Sequence, residues 1–261
     1  AGREGAALPT LVAETGGMNA MIVDSTALPE QVVADVIQSA FQSAGQRCSA
    51  LRVLYLQEDV ADRVIEILKG AMDELRVGDP RDLGTDVGPV IDEDARAGLT
   101  AHIETLKAEG RLVAETRLET HETAHGTFVA PVAFEIDGIE ALEREQFGPI
   151  LHIVRYKSSE IDRVIDSIND RGYGLTFGVH SRNESFADEI AQKIRVGNVY
   201  VNRNIIGAVV GVQPFGGLGL SGTGPKAGGP HYLLRFATEK TVTVNTAALG
   251  GNASLLALGD E

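Results

Sequence analysis

PEQVVADVIQSAFQSAGQRCSALRVLYLQ, residues 29–57, decides how this 261-residue chain folds. Between Pro29 and Ala44, the side chains of Val32, Val33, Val36, Ile37, Ala40 and Phe41 fall on one helical stripe. Pro29 suits the first turn of that helix, where its missing N–H removes no hydrogen bond. Leu51 to Gln57 is an apolar run of strand length. A helix handing over to a buried strand through a short loop is the repeating unit of an open α/β sheet. That loop, Gly45-Gln46-Arg47-Cys48-Ser49-Ala50, holds the only cysteine of the chain.

The same rhythm continues downstream. Val60, Val64, Ile67, Leu68, Ala71 and Leu75 mark a second helix that fades toward Gly78-Asp79-Pro80. Further helices are expected near 92–109, 158–170 and 183–194, and strands near 111–115, 128–135, 150–156, 174–180 and 197–202. The expected fold is α/β, an open twisted mostly parallel sheet flanked by helices. No Gly-Xaa-Gly-Xaa-Xaa-Gly links an opening strand to a helix, so the usual dinucleotide fingerprint is missing. Residues 203–230 are glycine-rich and read as a long loop with ligand contacts. Thr241 to Asn245 alternates like an edge strand, and 247–261 reads as a loose tail.

With 43% hydrophobic residues the chain can bury a sizeable core, in one large or two small domains. A net charge of −14 and the lack of a basic patch disfavour nucleic acid and anionic membranes as partners. No apolar run approaches the roughly 20 residues that span a bilayer. One cysteine cannot form an internal disulfide, so a reducing cytoplasm is the expected setting. The six histidines are scattered without zinc-ligand spacing, so no metal is expected, and they read as surface or packing residues.

A lone cysteine is ordinarily a small buried apolar residue. Here Gly45 permits a sharp turn and close ligand approach, while Arg47 and neighbouring amides are expected to favour the thiolate. Upstream, Glu14 precedes Thr15-Gly16-Gly17-Met18-Asn19-Ala20, where two glycines leave room for a carboxylate to reach over an open surface. Alone, such a glutamate is more often an ordinary strand-end residue than a general base.

Taken together with Gly45-Gln46-Xaa-Cys48, the Glu14 segment resembles the aldehyde dehydrogenase superfamily. Three further segments follow in the family's order: Glu145-Gln146-Phe147-Gly148-Pro149, Val201-Asn202, and Pro214-Phe215-Gly216-Gly217-Xaa-Gly219-Xaa-Ser221-Gly222. Thr223-Gly224-Pro225-Lys226-Ala227-Gly228-Gly229-Pro230 narrows the resemblance to glutamate semialdehyde (1-pyrroline-5-carboxylate) dehydrogenases, in particular those forming the C-terminal part of bifunctional proline utilisation proteins. The resemblance implies an NAD-dependent enzyme of proline catabolism that makes glutamate. It assigns Cys48 as nucleophile and oxyanion donor through its own N–H, and Glu14 as the base for the hydrolytic water. Glu145 would accept hydrogen bonds from the nicotinamide ribose and Phe147 would pack beside it; in isolation they would read as a surface glutamate and a core aromatic. Ser49, Gly228 and Gly229 would hold the substrate's α-carboxylate, the amides acting as an anion nest, and Phe236 would pack against its stem. For 222–230 a merely flexible loop is an equal reading of the residues themselves. Asn202 reads as a turn residue.

The chain starts barely a strand before Glu14. The resemblance therefore implies a catalytic domain over 1–240, an edge strand and tail over 241–261, and a nucleotide-binding domain largely absent from this chain. That domain of the same polypeptide would be its partner and would supply a side-chain amide to the oxyanion site; a homo-oligomer built through the 241–245 strand would be another association. Two rivals stand beside this reading. A cysteine hydrolase would use Cys48 and Glu14 without hydride transfer, but no histidine is placed by motif to activate the thiol. A noncatalytic assembly module would use the 241–245 edge to pair with another subunit.

Overall fold

The computed structural model describes residues 4–5, 8–209, 211–245 and 248. In chain order its elements are β1 (Ala20–Val23), α1 (Pro29–Phe41), β2 (Val53–Gln57), α2 (Glu58–Asp73), α3 (Glu93–Ala108), β3 (Leu112–Glu115), α4 (Thr120–Thr123), β4 (Val132–Glu135), β5 (Ile150–Tyr156), α5 (Ile161–Asp170), β6 (Tyr173–Gly174), β7 (Thr176–His180), α6 (Glu184–Lys193), β8 (Asn198–Val201) and β9 (Leu218–Gly219). Seven strands form one open sheet in the order β3-β4-β5-β2-β1-β7-β8, and β6 pairs with β9 in a separate ribbon. Every pairing in the main sheet is parallel except β3 with β4.

Burial explains the pattern. Strands β1, β2 and β7 are buried at every position, as parallel strands covered on both faces must be. The stripe read on residues 29–44 packs Val32, Val33, Val36, Ala40 and Phe41 into the core, and Val60, Val64, Leu68 and Met72 do the same for α2. Helices α3 and α6 start at side-chain caps, Asp92 accepting from Ala95 N and Asn183 from Phe186 N.

Three differences from the sequence reading have physical causes. Helix α1 stops at Phe41 instead of Ala44, because Ser43 (φ 58°), Ala44 (φ 53°) and Gly45 (φ 64°) enter the left-handed region. Only glycine fits the last of these, since a Cβ at Gly45 would strike the Gly148 carbonyl. Strand β1, inside the sheet between β2 and β7, has no counterpart among the expected strands: four apolar residues are too few to show a period. Thr241–Asn245 joins no β-ladder among the described residues, and Val242 and Val244 are 71% and 59% exposed. An alternating pattern needs a strand beside it before it becomes sheet. The tail expected over 247–261 lies outside the described residues, Ala248 excepted.

Strand polarity places the site. Register pairs Ala20 with Val53 and Phe177, and Val53 with His152, so the amino ends of β1, β2, β5 and β7 share one edge. The motifs that bear chemistry, around Glu14, Cys48 and Glu145, all lie just before one of these amino ends. Open α/β sheets more commonly bind ligands beyond the carboxyl ends.

Candidate active site

Asn19 is the hub of this edge. Its buried Nδ2 donates to the carbonyls of Cys48 (2.7 Å) and Ala50 (2.9 Å), and its Oδ1 accepts from Thr176 N (3.2 Å). Thr176 Oγ1 donates to the intervening carbonyl of Ser49 (3.2 Å). Three successive carbonyls of the cysteine loop are thus tied to the residue just before β1 and to the first residue of β7. Gln46 adds a second anchor, donating to Pro89 O and accepting from Ile91 N. The loop is fixed while the Cys48 thiol stays half-buried.

Burial pushes that thiol above its ordinary range; the amides of Ser49 and Cys48 oppose this, and the carboxylates of Glu14 and Glu145 add to it. The expectation that Arg47 favours the thiolate is therefore corrected. The Arg47 guanidinium donates through Nε to Ser43 Oγ (3.1 Å), and although Arg47 lines the same cleft as Cys48 it is not among the groups that act on the thiol.

Glu14 is held by a short antiparallel bridge to Gly222. Around it Thr15 N donates to Ser221 O (3.1 Å), Thr223 N to Ala13 O (3.0 Å) and Ala13 N to Thr223 Oγ1 (2.9 Å). A Cβ at Gly216 would touch Glu14 Oε1, so the carboxylate faces the late glycine motif. Two segments far apart in sequence meet here, and the exposed carboxylate acts on the thiol through space.

Glu145 lies on the other side. Its carboxylate, 13% exposed, accepts from Arg52 Nε (3.2 Å) and Nη2 (2.9 Å) on Oε1 and from Gly17 N (3.2 Å) on Oε2. Burial pushes its carboxyl up against the opposing pull of Arg52 and of the Gly17 amide. Phe147 packs its ring 5.2 Å from the Arg52 guanidinium and leaves 44% of itself exposed. Any Cβ at Gly16 would collide with Glu145 Oε2, so bare backbone makes room for this carboxylate. A largely buried carboxylate held by Arg52 beside a glycine floor and an exposed ring fits the ribose hydroxyls and base of a nicotinamide nucleotide.

A cleft of about 680 Å³ opens at the thiol, lined by Cys48, Ser49, Gln213, Phe215, Ala227 and Gly228 among others. This lies within the usual range for small-molecule sites. Ser49 and Gly228 thus face the same space as the nucleophile. Gly229 and Phe236 do not: the Gly229 amide donates to Lys226 O (3.1 Å), and Phe236 is 62% exposed with its ring against Tyr232. Phe215 takes the place at the cleft that the sequence reading gives to Phe236. Asn202, in the left-handed region at φ 53°, exchanges hydrogen bonds with the backbone of Ser181, as a turn residue should.

Asn19, Thr176 and Arg52 have no role in the sequence reading. Asn19 sits inside the Glu14 segment without a distinguishing signal. Arg52 does carry one: an arginine within a wholly apolar strand run must find a buried partner.

The aldehyde dehydrogenase family model matches residues 2–242. The bifunctional protein PutA of Klebsiella aerogenes is 57% identical over 234 residues, covering 88% of this chain and 18% of that protein. A crystal structure of a Bradyrhizobium japonicum proline utilization A (PutA) mutant superposes with a TM-score of 0.88 at 60% identity, covering 95% of this chain and 25% of that one. A 1-pyrroline-5-carboxylate dehydrogenase from Thermus with bound NAD superposes at 0.78 with 38% identity, covering 86% of this chain and 43% of that one. The chain therefore spans less than a fifth of the PutA relative from Klebsiella and under half of the Thermus enzyme.

Proposed function

Since the chain belongs to the aldehyde dehydrogenase family, we propose that it carries the nucleophile and base of an NAD-dependent L-glutamate γ-semialdehyde dehydrogenase of proline catabolism. The observation that carries this reading is the fixed Cys48 loop at a ligand-sized cleft, with Glu14 and Glu145 both acting on its thiol. The nucleotide-binding part would be supplied by the longer polypeptide, as in relatives that are several times longer.

In this reading the Cys48 sulfur bonds to the aldehyde carbon, and the thiol proton leaves to solvent or to Glu14. The Cys48 N–H supports the oxyanion. Bound on Glu145 and Phe147, NAD would accept the hydride that leaves the carbon, and a thioester remains on Cys48. Glu14 then takes a proton from water, whose oxygen attacks the thioester carbon. Glutamate departs and the sulfur is released. The substrate's α-carboxylate is assigned to Ser49 and the Gly228 backbone in the cleft; the Gly229 amide joins only by leaving Lys226 O, and Phe236 only by moving from Tyr232. An edge strand at 241–245 that pairs with a second copy, and a reducing cytoplasmic setting for the free thiol, belong to the same proposal.

The hydrolase reading is disfavoured because the groups acting on the thiol are carboxylates, with no imidazole among them. The test is substrate discrimination by the full polypeptide. Charge-assisted hydrogen bonds to the α-carboxylate, about 1.5–3 kcal/mol, should raise kcat/KM for glutamate semialdehyde about 10- to 100-fold over an unsubstituted aldehyde of equal length. Equal values would overturn the substrate assignment, and ester or amide hydrolysis without NAD reduction would favour the hydrolase.

A further inference from the structure

We infer that Arg52 is a positioning residue that sets the cofactor carboxylate Glu145 against the Cys48 loop, an inference that rests on the cofactor role proposed for Glu145. Arg52 is fully buried and makes five side-chain hydrogen bonds: Nε and Nη2 to Glu145 Oε1, Nη1 to the carbonyls of Gly45 (2.7 Å) and Gly148 (3.3 Å), and Nη2 to that of Arg47 (3.0 Å). A guanidinium has five N–H donors, so all are used. Their acceptors lie on both sides of the site. Gly45 and Arg47 belong to the turn that presents Cys48, whereas Glu145 and Gly148 flank Phe147.

The residue is itself fixed. Its N–H donates to Asn19 O (2.9 Å), and its carbonyl accepts from His152 N (3.0 Å) and lies 3.0 Å from His152 Nδ1. One rigid fork thus ties the turn that presents Cys48 to the Glu145 carboxylate and the backbone after Phe147. Lysine would keep the charge but has three donors on a flexible stem, and cannot hold both loops at once.

The separating experiment is a double-mutant cycle in the full-length polypeptide, reading the Kd for NAD by titration calorimetry with Arg52→Lys, Glu145→Gln and both together. If Arg52 acts through Glu145, each single variant weakens NAD binding about 10-fold or more, and the double variant is no weaker than the poorer single. Losses that multiply, or an unchanged Kd for Arg52→Lys beside a weakened Glu145→Gln, overturn the role of Arg52 alone. An unchanged Kd for Glu145→Gln overturns the cofactor reading and the inference with it. Should Arg52→Lys not fold, Arg52→Met with Glu145→Gln removes both buried charges together. Its Kd should equal that of Glu145→Gln; a further 10-fold loss contradicts the inference.

Discussion

At the residue scale the site separates placing a thiol from activating it. Asn19 and Thr176 fix the three carbonyls around Cys48, yet burial and two carboxylates push the thiol above its ordinary range. Activation must then come with the substrate or with a change in these charges. Alkylation of Cys48 by iodoacetamide should accordingly rise with pH along a curve whose midpoint lies above that of a free thiol. Glu14→Gln removes one repelling carboxylate, so it should shift the midpoint down and speed alkylation at neutral pH. A midpoint below that of free cysteine, or no response to Glu14→Gln, would show that the loop's amides dominate instead. The sequence reading placed Cys48 and Glu14 from their motifs but gave Arg47 an influence on the thiol that the structure does not bear out, since its engagement by Ser43 in the preceding turn could not be foreseen from the sequence.

At the element scale, β2 and β5 are joined by more than their ladder. His152 on β5 is fully buried, lies 3.0 Å from Arg52 O through Nδ1, and has its Nε2 2.9 Å from His102 Nε2 on α3. A neutral ring with its proton on Nδ1 satisfies both contacts if His102 donates. Burial accordingly pulls His152 down to about 3, against about 6.5 in an unfolded chain. The unfolded chain therefore takes up this proton first as pH falls. The contribution of His152 is complete above about pH 6.5 and is lost toward pH 3, at up to about 1.4 kcal/mol per pH unit. Glutamine at this position can donate and accept in the same places without titrating. His152→Gln should flatten the pH dependence of hydrogen-exchange protection in β2 and β5 below pH 6.5, after correction for intrinsic exchange; an unchanged slope would contradict the assignment.

Element type was legible wherever hydrophobic period was long enough to see, as in α1, α2 and β5, whose expected strand coincides with Ile150–Tyr156. It failed where geometry was local. Nothing in the composition of Ser43 and Ala44 announces a left-handed turn, and β1 is too short to be distinguished from a loop.

At the scale of the whole molecule, the amino edge of a parallel sheet gathers segments that start at residues 12, 45, 145 and 214. Their order along the chain was readable from the resemblance to the aldehyde dehydrogenase family, since each segment alone admits a structural reading. Their mutual contacts were not, since the Arg52–Glu145 pair, the Glu14–Gly222 bridge and the Phe215 wall of the cleft exist only after the sheet is assembled. Net charge of −14 offers no long-range attraction to an anionic aldehyde or nucleotide. Recognition must then depend on contact donors, which act inside the roughly 8 Å over which salt screens that charge.

The central claim is that Cys48 carries the substrate and Glu14 releases it. It is tested most directly by mixing the full-length Glu14→Gln variant with NAD and glutamate semialdehyde, quenching in acid, and examining the Cys48 peptide by mass spectrometry. The account predicts about one glutamyl thioester on Cys48 per site, one equivalent of NADH formed in the burst, and turnover slowed roughly 10²-fold or more by loss of the general base. An unmodified Cys48 at the end of the burst, or a burst and turnover reduced to the same extent, would contradict it.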